Sequence, residues 1–179
     1  MTTVLLDIDD VCANLVDKWL HLYELPSHHK LTREDITDWN LSNFVKPGYE
    51  EIIYQIIEKP QIYNSIKPIE GAVEGYNYLK NKGYEILFAT HSTKGCAGRK
   101  FDWLLENGFE VDHHNYIEIY RKDLLKVDFM IDDNFKNISS TSGIGILYNA
   151  PWNKKYEWSI RADNWSEIVD IIEGQITHE

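Results

Sequence analysis

The chain is constrained most by one stretch, Val4-Leu5-Leu6-Asp7-Ile8-Asp9-Asp10-Val11. Three apolar residues run straight into carboxylates at positions 7, 9 and 10. A short unbroken apolar run reads as a strand buried on both faces, with the acids at its carboxyl end. In an open parallel α/β sheet that end is where ligands bind. Asp7, Asp9 and Asp10 repel one another there, and a divalent cation, which prefers carboxylate and carbonyl oxygens, is the usual means of offsetting this. An acidic turn after a strand is the plainer reading of this stretch alone. A second stretch changes the balance: Val127-Asp128-Phe129-Met130-Ile131 also ends in paired acids, Asp132-Asp133. Two strands delivering acids to one sheet edge point to a cation site.

Length and charge narrow the field. At 179 residues the chain fits one domain with a small insertion. Its formal net charge of −11 argues against duplex nucleic acid, whose binding relies on clustered Lys and Arg. A small phosphorylated ligand is still compatible, because a metal, a lysine and backbone N–H groups can meet its charge locally. The two cysteines, Cys12 and Cys96, have neither a metal-ligand spacing nor a disulfide framework. Cys12 is expected as a small buried residue on a helix. No apolar run approaches a membrane span, and no basic-then-apolar leader opens the sequence. These features lead us to expect a soluble cytoplasmic protein with no membrane partner; a homodimer stays open.

After the acidic turn, Leu15, Trp19 and Leu22 or Tyr23 recur at helical spacing to about Leu25, where Pro26 should stop the helix. Thr32 with Asp35 resembles a capping box. Ile52, Ile53, Ile56 and Ile57 define one helical face up to Pro60. Residues 15–67 therefore read as a small helical insertion between residues 1–14 and an α/β core resuming at 68–179. Val73, Tyr76 and Leu79 mark the next helix, closed by Gly83. A strand over Tyr84–Ala89 ends in Thr90-His91-Ser92, and a helix through Phe101, Leu104 and Leu105 follows. Asn115–Ile119 is a weaker strand, Lys122–Lys126 a helical turn, and Phe135–Ser140 another. Ile144–Tyr148 is expected as the last strand. The terminal helix presents Ile168, Val169, Ile171 and Ile172, with Asn164 and Glu167 as capping residues. Alternating strands and helices imply a parallel sheet covered on both faces.

Strand ends thus supply Asp7 and Asp9, Thr90, and Asp132 with Asp133, and Lys122 begins a turn just before the last pair. Phosphoryl transfer through a covalent aspartate needs this set: a carboxylate nucleophile, charge neutralisation, and an acid for the leaving oxygen. Here the sequence resembles the haloacid dehalogenase superfamily of phosphatases. Its DxDx[TV] motif reads Asp7-Ile8-Asp9-Asp10-Val11. Its strand-terminal Ser or Thr is Thr90 after Ile86-Leu87-Phe88-Ala89. Its lysine is Lys122, ten residues before Asp132, and its acid pair is Asp132-Asp133. All four occur in order over most of the chain. Within the superfamily the sequence looks most like the 5′(3′)-deoxyribonucleotidase group, from its size, the insertion after the first motif, and the segments Ala150-Pro151-Trp152-Asn153 and Trp165-Ser166-Glu167-Ile168.

The resemblance implies a Rossmann-like three-layer parallel sheet with a helical cap inserted after the first strand. It implies a Mg²⁺-dependent phosphomonoester hydrolase acting on a 5′- or 3′-nucleotide. Asp7 would attack phosphorus, and Asp9 would protonate the leaving group and then activate water. Thr90, Lys122 and the neighbouring His91 would hold phosphate oxygens. Asp7, the backbone carbonyl of Asp9, and Asp132 would bind Mg²⁺, supported by Asp133. Position 10 is often Gly in the family, and Asp10 here adds charge near an anionic substrate. Other readings are a related phosphatase for a sugar phosphate or a polynucleotide 3′-end, and a silent nucleotide-binding module. A polynucleotide would need Lys94, Arg99 and Lys100 to form a track, whereas a solvated helix face is the plainer reading of them. His113 and His114 are expected on opposite faces of an extended segment, as surface residues. Trp19, Trp39, Phe44 and Tyr49 are expected mainly to form the insertion's own core, with one or two lining a pocket.

Overall fold

A computed structural model describes residues 1–93 and 95–176 of the chain. Six strands form one all-parallel sheet: β1 (Thr3–Leu6), β2 (Glu85–Thr90), β3 (Tyr116–Glu118), β4 (Phe129–Asp132), β5 (Ile144–Tyr148) and β6 (Arg161–Ala162). Their spatial order is β3-β2-β1-β4-β5-β6. The chain builds outward from β1 on one side, then returns to lay β4 against its other edge. This reversal opens a crevice at the carboxyl ends of β1 and β4. The expected fold class is therefore observed. The two-residue β6 was not expected, because Arg161-Ala162 is too short to carry a periodic signal.

Alternation along the strands sorts the core into two layers. Val4, Leu6, Phe129, Ile131 and Ile146 face a large cluster under α3 (Ala72–Asn81), α4 (Cys96–Glu106) and α6 (Trp165–Ile176). Leu5, Met130 and Leu147 face the opposite side, covered more thinly by α5 (Phe135–Ser140) through Ile138 and by Trp158. Gly143 permits the close approach at the start of β5. A Cβ there would sit 2.2 Å from the Val127 carbonyl oxygen and 2.5 Å from that of Asp128.

Between β1 and α3 the chain forms helices and turns, with isolated β-bridges of Ala13 to Asp9 and Pro68 but no strand. The helices and turns are α1 (Leu15–Ser27), α2 (Glu50–Ile57), and 3₁₀ turns at Arg33–Asp35, Leu41–Asn43 and Pro60–Asn64. Pro26 does not stop α1. The helix runs one residue past it and ends with His28 in the left-handed conformation at φ 47°. The Thr32 signal holds: its backbone N–H and hydroxyl both donate to Asp35 Oδ2 at 2.7 Å. Cys12 is buried as expected, but in a turn rather than a helix. His113 and His114 are exposed, yet they occupy a turn and their ring centroids lie 3.9 Å apart, so the opposite-faces argument fails. Among the described residues no helix is long and apolar enough to cross a membrane.

Gly143→Ala should lower the unfolding free energy by about 1–3 kcal/mol, since the methyl group meets backbone that a rotamer change cannot clear. Urea denaturation checks this; an unchanged midpoint would show that the β4–β5 start can spread without cost.

Candidate active site

The turn after β1 is fixed by its own backbone. Asp10 takes the left-handed conformation at φ 54°, a state that Asp tolerates better than most residues. The Ile8 carbonyl accepts from Cys12 N at 2.9 Å and Ala13 N at 2.8 Å, while the Asp10 N–H donates to the Ala13 carbonyl at 2.7 Å. Trp165 Nε1 reaches from α6 to donate to the Val11 carbonyl at 2.8 Å. The Asp7 N–H extends the sheet ladder by donating to Ile131 O at 2.9 Å, which sets Asp7 beside the end of β4.

Asp7, Asp132 and Asp133 each place a carboxylate oxygen within 4.8 Å of the other two. The buried Lys122 ammonium bridges two of them, at 2.8 Å from Asp7 Oδ1 and 2.7 Å from Asp132 Oδ2. Asp132 also accepts from Asn137 Nδ2 at 2.9 Å and from the Asn134 N–H at 2.8 Å. Asp133 accepts from Trp152 Nε1 at 2.8 Å, and its carbonyl accepts from Asn153 Nδ2 at 2.8 Å. The segment at 150–153 is therefore a brace for the acid pair. Three hard carboxylate oxygens converging beside one lysine fit a divalent metal of the oxygen-preferring kind.

The cost of this convergence appears in the acids' proton affinity. Burial, helped by the charges of Asp132 and Asp9 and opposed by Lys122, raises the Asp7 carboxyl to about 7. Burial, then the charges of Asp132, Asp7 and Asp10, raise Asp133 well above the usual carboxylate range. Burial alone would lower Lys122, but Asp132 and Asp7 more than reverse this and hold it charged.

Asp9 is held differently. Its Oδ2 accepts from Lys100 Nζ at 2.7 Å, and its Oδ1 accepts a hydrogen bond from the Tyr63 hydroxyl. Lys100 also donates to Thr90 Oγ1 at 2.8 Å and to the His91 carbonyl at 3.0 Å. An ammonium can only donate, so Thr90 is left with its own hydroxyl hydrogen for another acceptor. Lys100 is 2% exposed and not part of a solvated face. The inward face of α4 is Lys100, Trp103 and Leu104, while Leu105 is half exposed. A helical face through Phe101, Leu104 and Leu105, as the spacing predicts, does not include Lys100. Arg99 pairs with Glu106 at 2.7 Å and with Asn64 Oδ1 at 3.0 Å, and Lys94 lies outside the described residues.

These groups share one cavity of about 650 Å³. Asp7, Asp9, Thr90, His91, Lys122 and Asp133 line it, together with Trp19, Trp39, Leu41, Tyr54 and Trp152. His91 is exposed, with its ring edge-on to Tyr120 at 5.1 Å between centroids. Of the four aromatics singled out in the insertion, Trp19 and Trp39 line the cavity; Tyr49 packs on Tyr23 and Phe44 on the core. The charge of Asp10 is not loose near the ligand space. Its Oδ1 accepts from Arg33 at 2.9 Å and from the Val16 N–H at 3.2 Å, and the guanidinium lies 4.8 Å over the Trp152 ring. Lys100, Tyr63, Trp152, Asn153 and Asn137 carry no assigned role from the sequence. Only the three-residue step from Lys100 to Trp103 could have signalled one of them.

A family model described as "5′ nucleotidase, deoxy (Pyrimidine), cytosolic type C protein" matches residues 1–177. A 5′(3′)-deoxyribonucleotidase of Clostridium acetobutylicum is 31% identical over 175 residues, covering 96% of this chain and 95% of the relative. A 5′(3′)-deoxyribonucleotidase of Bacillus subtilis is 28% identical, covering 92% and 95%. A haloacid dehalogenase family hydrolase of Deinococcus radiodurans, solved with bound phosphate and sodium, superposes with a TM-score of 0.65 at 14% identity, covering 98% of this chain and 97% of that one. A D,D-heptose 1,7-bisphosphate phosphatase of B. bronchiseptica, solved with magnesium and phosphate, superposes with a TM-score of 0.53 at 10% identity, covering 98% of this chain and 99% of that one.

Asp7 and Asp133 bind protons more tightly folded than unfolded, where a carboxyl sits near 3.8. The folded state therefore holds more protons from about pH 4 up to the folded values, and stability falls as pH rises through that window. In EDTA the thermal midpoint should fall from pH 5.5 to pH 8, and the slope should be shallower in Asp7→Asn. Equal slopes in the two proteins would show that Asp7 carries no such linkage.

Proposed function

The chain belongs to the cytosolic type C 5′-deoxynucleotidase family of the haloacid dehalogenase superfamily, and from that premise we propose that it is a Mg²⁺-dependent phosphatase of 5′- or 3′-deoxynucleoside monophosphates. The observation that carries this reading is the buried Lys122 ammonium between Asp7 and Asp132, on a cavity that Trp19, Trp39 and Trp152 also line. The ammonium suits a phosphate and the aromatic faces suit a flat base, which can stack against them. Residues 15–67 act as a cap that covers the site and shields the reaction from bulk water.

Asp7 attacks phosphorus and takes the phosphoryl group as an acyl phosphate. Lys122 and the Thr90 hydroxyl, whose hydrogen Lys100 leaves free, donate to the phosphate oxygens. Asp9 gives its proton to the leaving alkoxide oxygen as the P–O bond breaks. The resulting carboxylate then takes a proton from the water that attacks the phosphoryl-Asp7, releasing phosphate and restoring both acids. Asp7, Asp132 and the Asp9 carbonyl would hold Mg²⁺, with Asp133 in support. The ion supplies positive charge that favours ionised Asp7 and offsets the phosphate dianion.

Phosphate release should be measured from 5′- and 3′-nucleoside monophosphates and from sugar phosphates, in Mg²⁺ and in EDTA. Release from nucleotides should need Mg²⁺ and should fall by about 10³-fold or more in Asp7→Asn. Release from sugar phosphates alone would discard the substrate, and undiminished release by Asp7→Asn would discard the nucleophile. Trp152→Phe removes the indole donor to Asp133, the acid that supports the Mg²⁺ ligands, and should weaken Mg²⁺ binding by up to about tenfold. Calorimetric titration with Mg²⁺ checks this; unchanged affinity would mean that Asp133 is held well enough by other contacts.

A further inference from the structure

The Tyr63 hydroxyl sits in an unusual place for a tyrosine of the insertion. It is 2% exposed, and it donates to Asp9 Oδ1 across 54 positions of sequence. On the other side of the same carboxyl, Lys100 Nζ meets Oδ2 at 2.7 Å. One donor would leave the carboxyl free to swing about its Cβ–Cγ bond. Two donors on different oxygens fix its plane. Asp9 nevertheless keeps 24% of its side chain exposed and lines the cavity, so the fixed group still faces the ligand space.

Both donors belong to one packed unit. Tyr63 lies in the 3₁₀ turn Pro60–Asn64 at the stem of the insertion, and Lys100 lies on α4. The stem is fastened to α4 by Arg99 Nε donating to Asn64 Oδ1 at 3.0 Å and by Trp103 Nε1 donating to the Ile66 carbonyl at 2.9 Å. The Lys100 ammonium also stands 5.7 Å from the Tyr63 ring centroid. The placement of the Tyr63 hydroxyl is therefore tied to α4.

We propose that Tyr63 is a positioning residue that, with Lys100, holds the Asp9 carboxyl in the plane from which it delivers a proton to the leaving oxygen. This rests on the reading of Asp9 as the general acid. The step it serves moves one proton: the Asp9 O–H bond breaks and the leaving-group O–H bond forms, as the phosphorus exchanges its bond to that oxygen for one to Asp7. Alkyl and nucleoside esters, whose alkoxides leave poorly, need that proton; nitrophenyl esters need it far less.

The test is the dependence of kcat/KM on leaving-group pKa over aryl and alkyl monophosphates, in wild type and Tyr63→Phe, with Mg²⁺ present. Wild type should give a shallow slope. Tyr63→Phe should steepen it, losing about ten- to hundredfold on the alkyl esters and about threefold or less on p-nitrophenyl phosphate, as expected for a displaced proton donor. Partial unfolding lowers every substrate alike and leaves the slope unchanged, so a structural role would not mimic this. Equal shallow slopes would overturn the role of Tyr63 and leave Asp9 as the acid. A steep slope in wild type would overturn the acid itself, and with it the inference.

Discussion

One buried ammonium makes the rest of this site feasible. Lys122 lies between Asp7 and Asp132, where two strand ends bring carboxylates together at low exposure. Without it, adjacent parallel strands could not both end in ionised acids at contact distance. Even with it, Asp7 sits near 7 and Asp133 higher than an ordinary carboxyl, so repulsion is reduced rather than removed. That remaining imbalance is what gives the cluster its capacity for a further positive charge. A site already neutral would gain little from a divalent ion.

The surrounding elements keep these charges in place through contacts behind and beside the acid cluster. Trp152 and Asn153 tie the Asp133 turn to the loop after β5, and Arg161 Nη2 secures Asn153 Oδ1 at 2.7 Å. Asp10, whose charge alone would repel an anion, is paired with Arg33 from the insertion. Burial raises it to about 6, with Arg33 pulling in the other direction. Further ion pairs, Lys154 with Glu34 at 3.0 Å and Lys155 with Asp38, join the same loop to the insertion, and Trp39 meets Trp152 at 5.7 Å between centroids. The loop that braces the acid pair is thus also a seat for the insertion, which links the charged groups of the cavity to its aromatic ones.

The sheet and its acids were legible because they rest on local signals. Apolar runs ending in Asp7 and Asp132 mark strands, and parallel connections force those ends to one edge. Thr90 and Lys122 were legible only through the family resemblance, since a strand-end hydroxyl and a solvated lysine are the ordinary readings of those two positions. Lys100 was not legible, because its burial depends on a small rotation of α4 that trades Leu105 outward for Trp103 inward. Tyr63 was hidden for another reason. It acts across a contact made only when the stem packs on α4, and no local period records such a contact. Pro26 misled because a proline in the last turn of α1 removes an N–H without displacing the backbone already laid down. The short β6 pairs with β5 from a loop whose sequence has no strand character of its own.

The proposed role of Asp7 as the phosphoryl acceptor is tested most directly by trapping the enzyme during turnover. The protein would be mixed with a deoxynucleoside monophosphate and Mg²⁺, quenched in acid within milliseconds, digested and examined by mass spectrometry. The account expects a phosphoryl group on the peptide carrying Asp7, removable by hydroxylamine and absent from Asp7→Asn. Steady phosphate release with no protein-bound phosphoryl group, or one on a different residue, would contradict it.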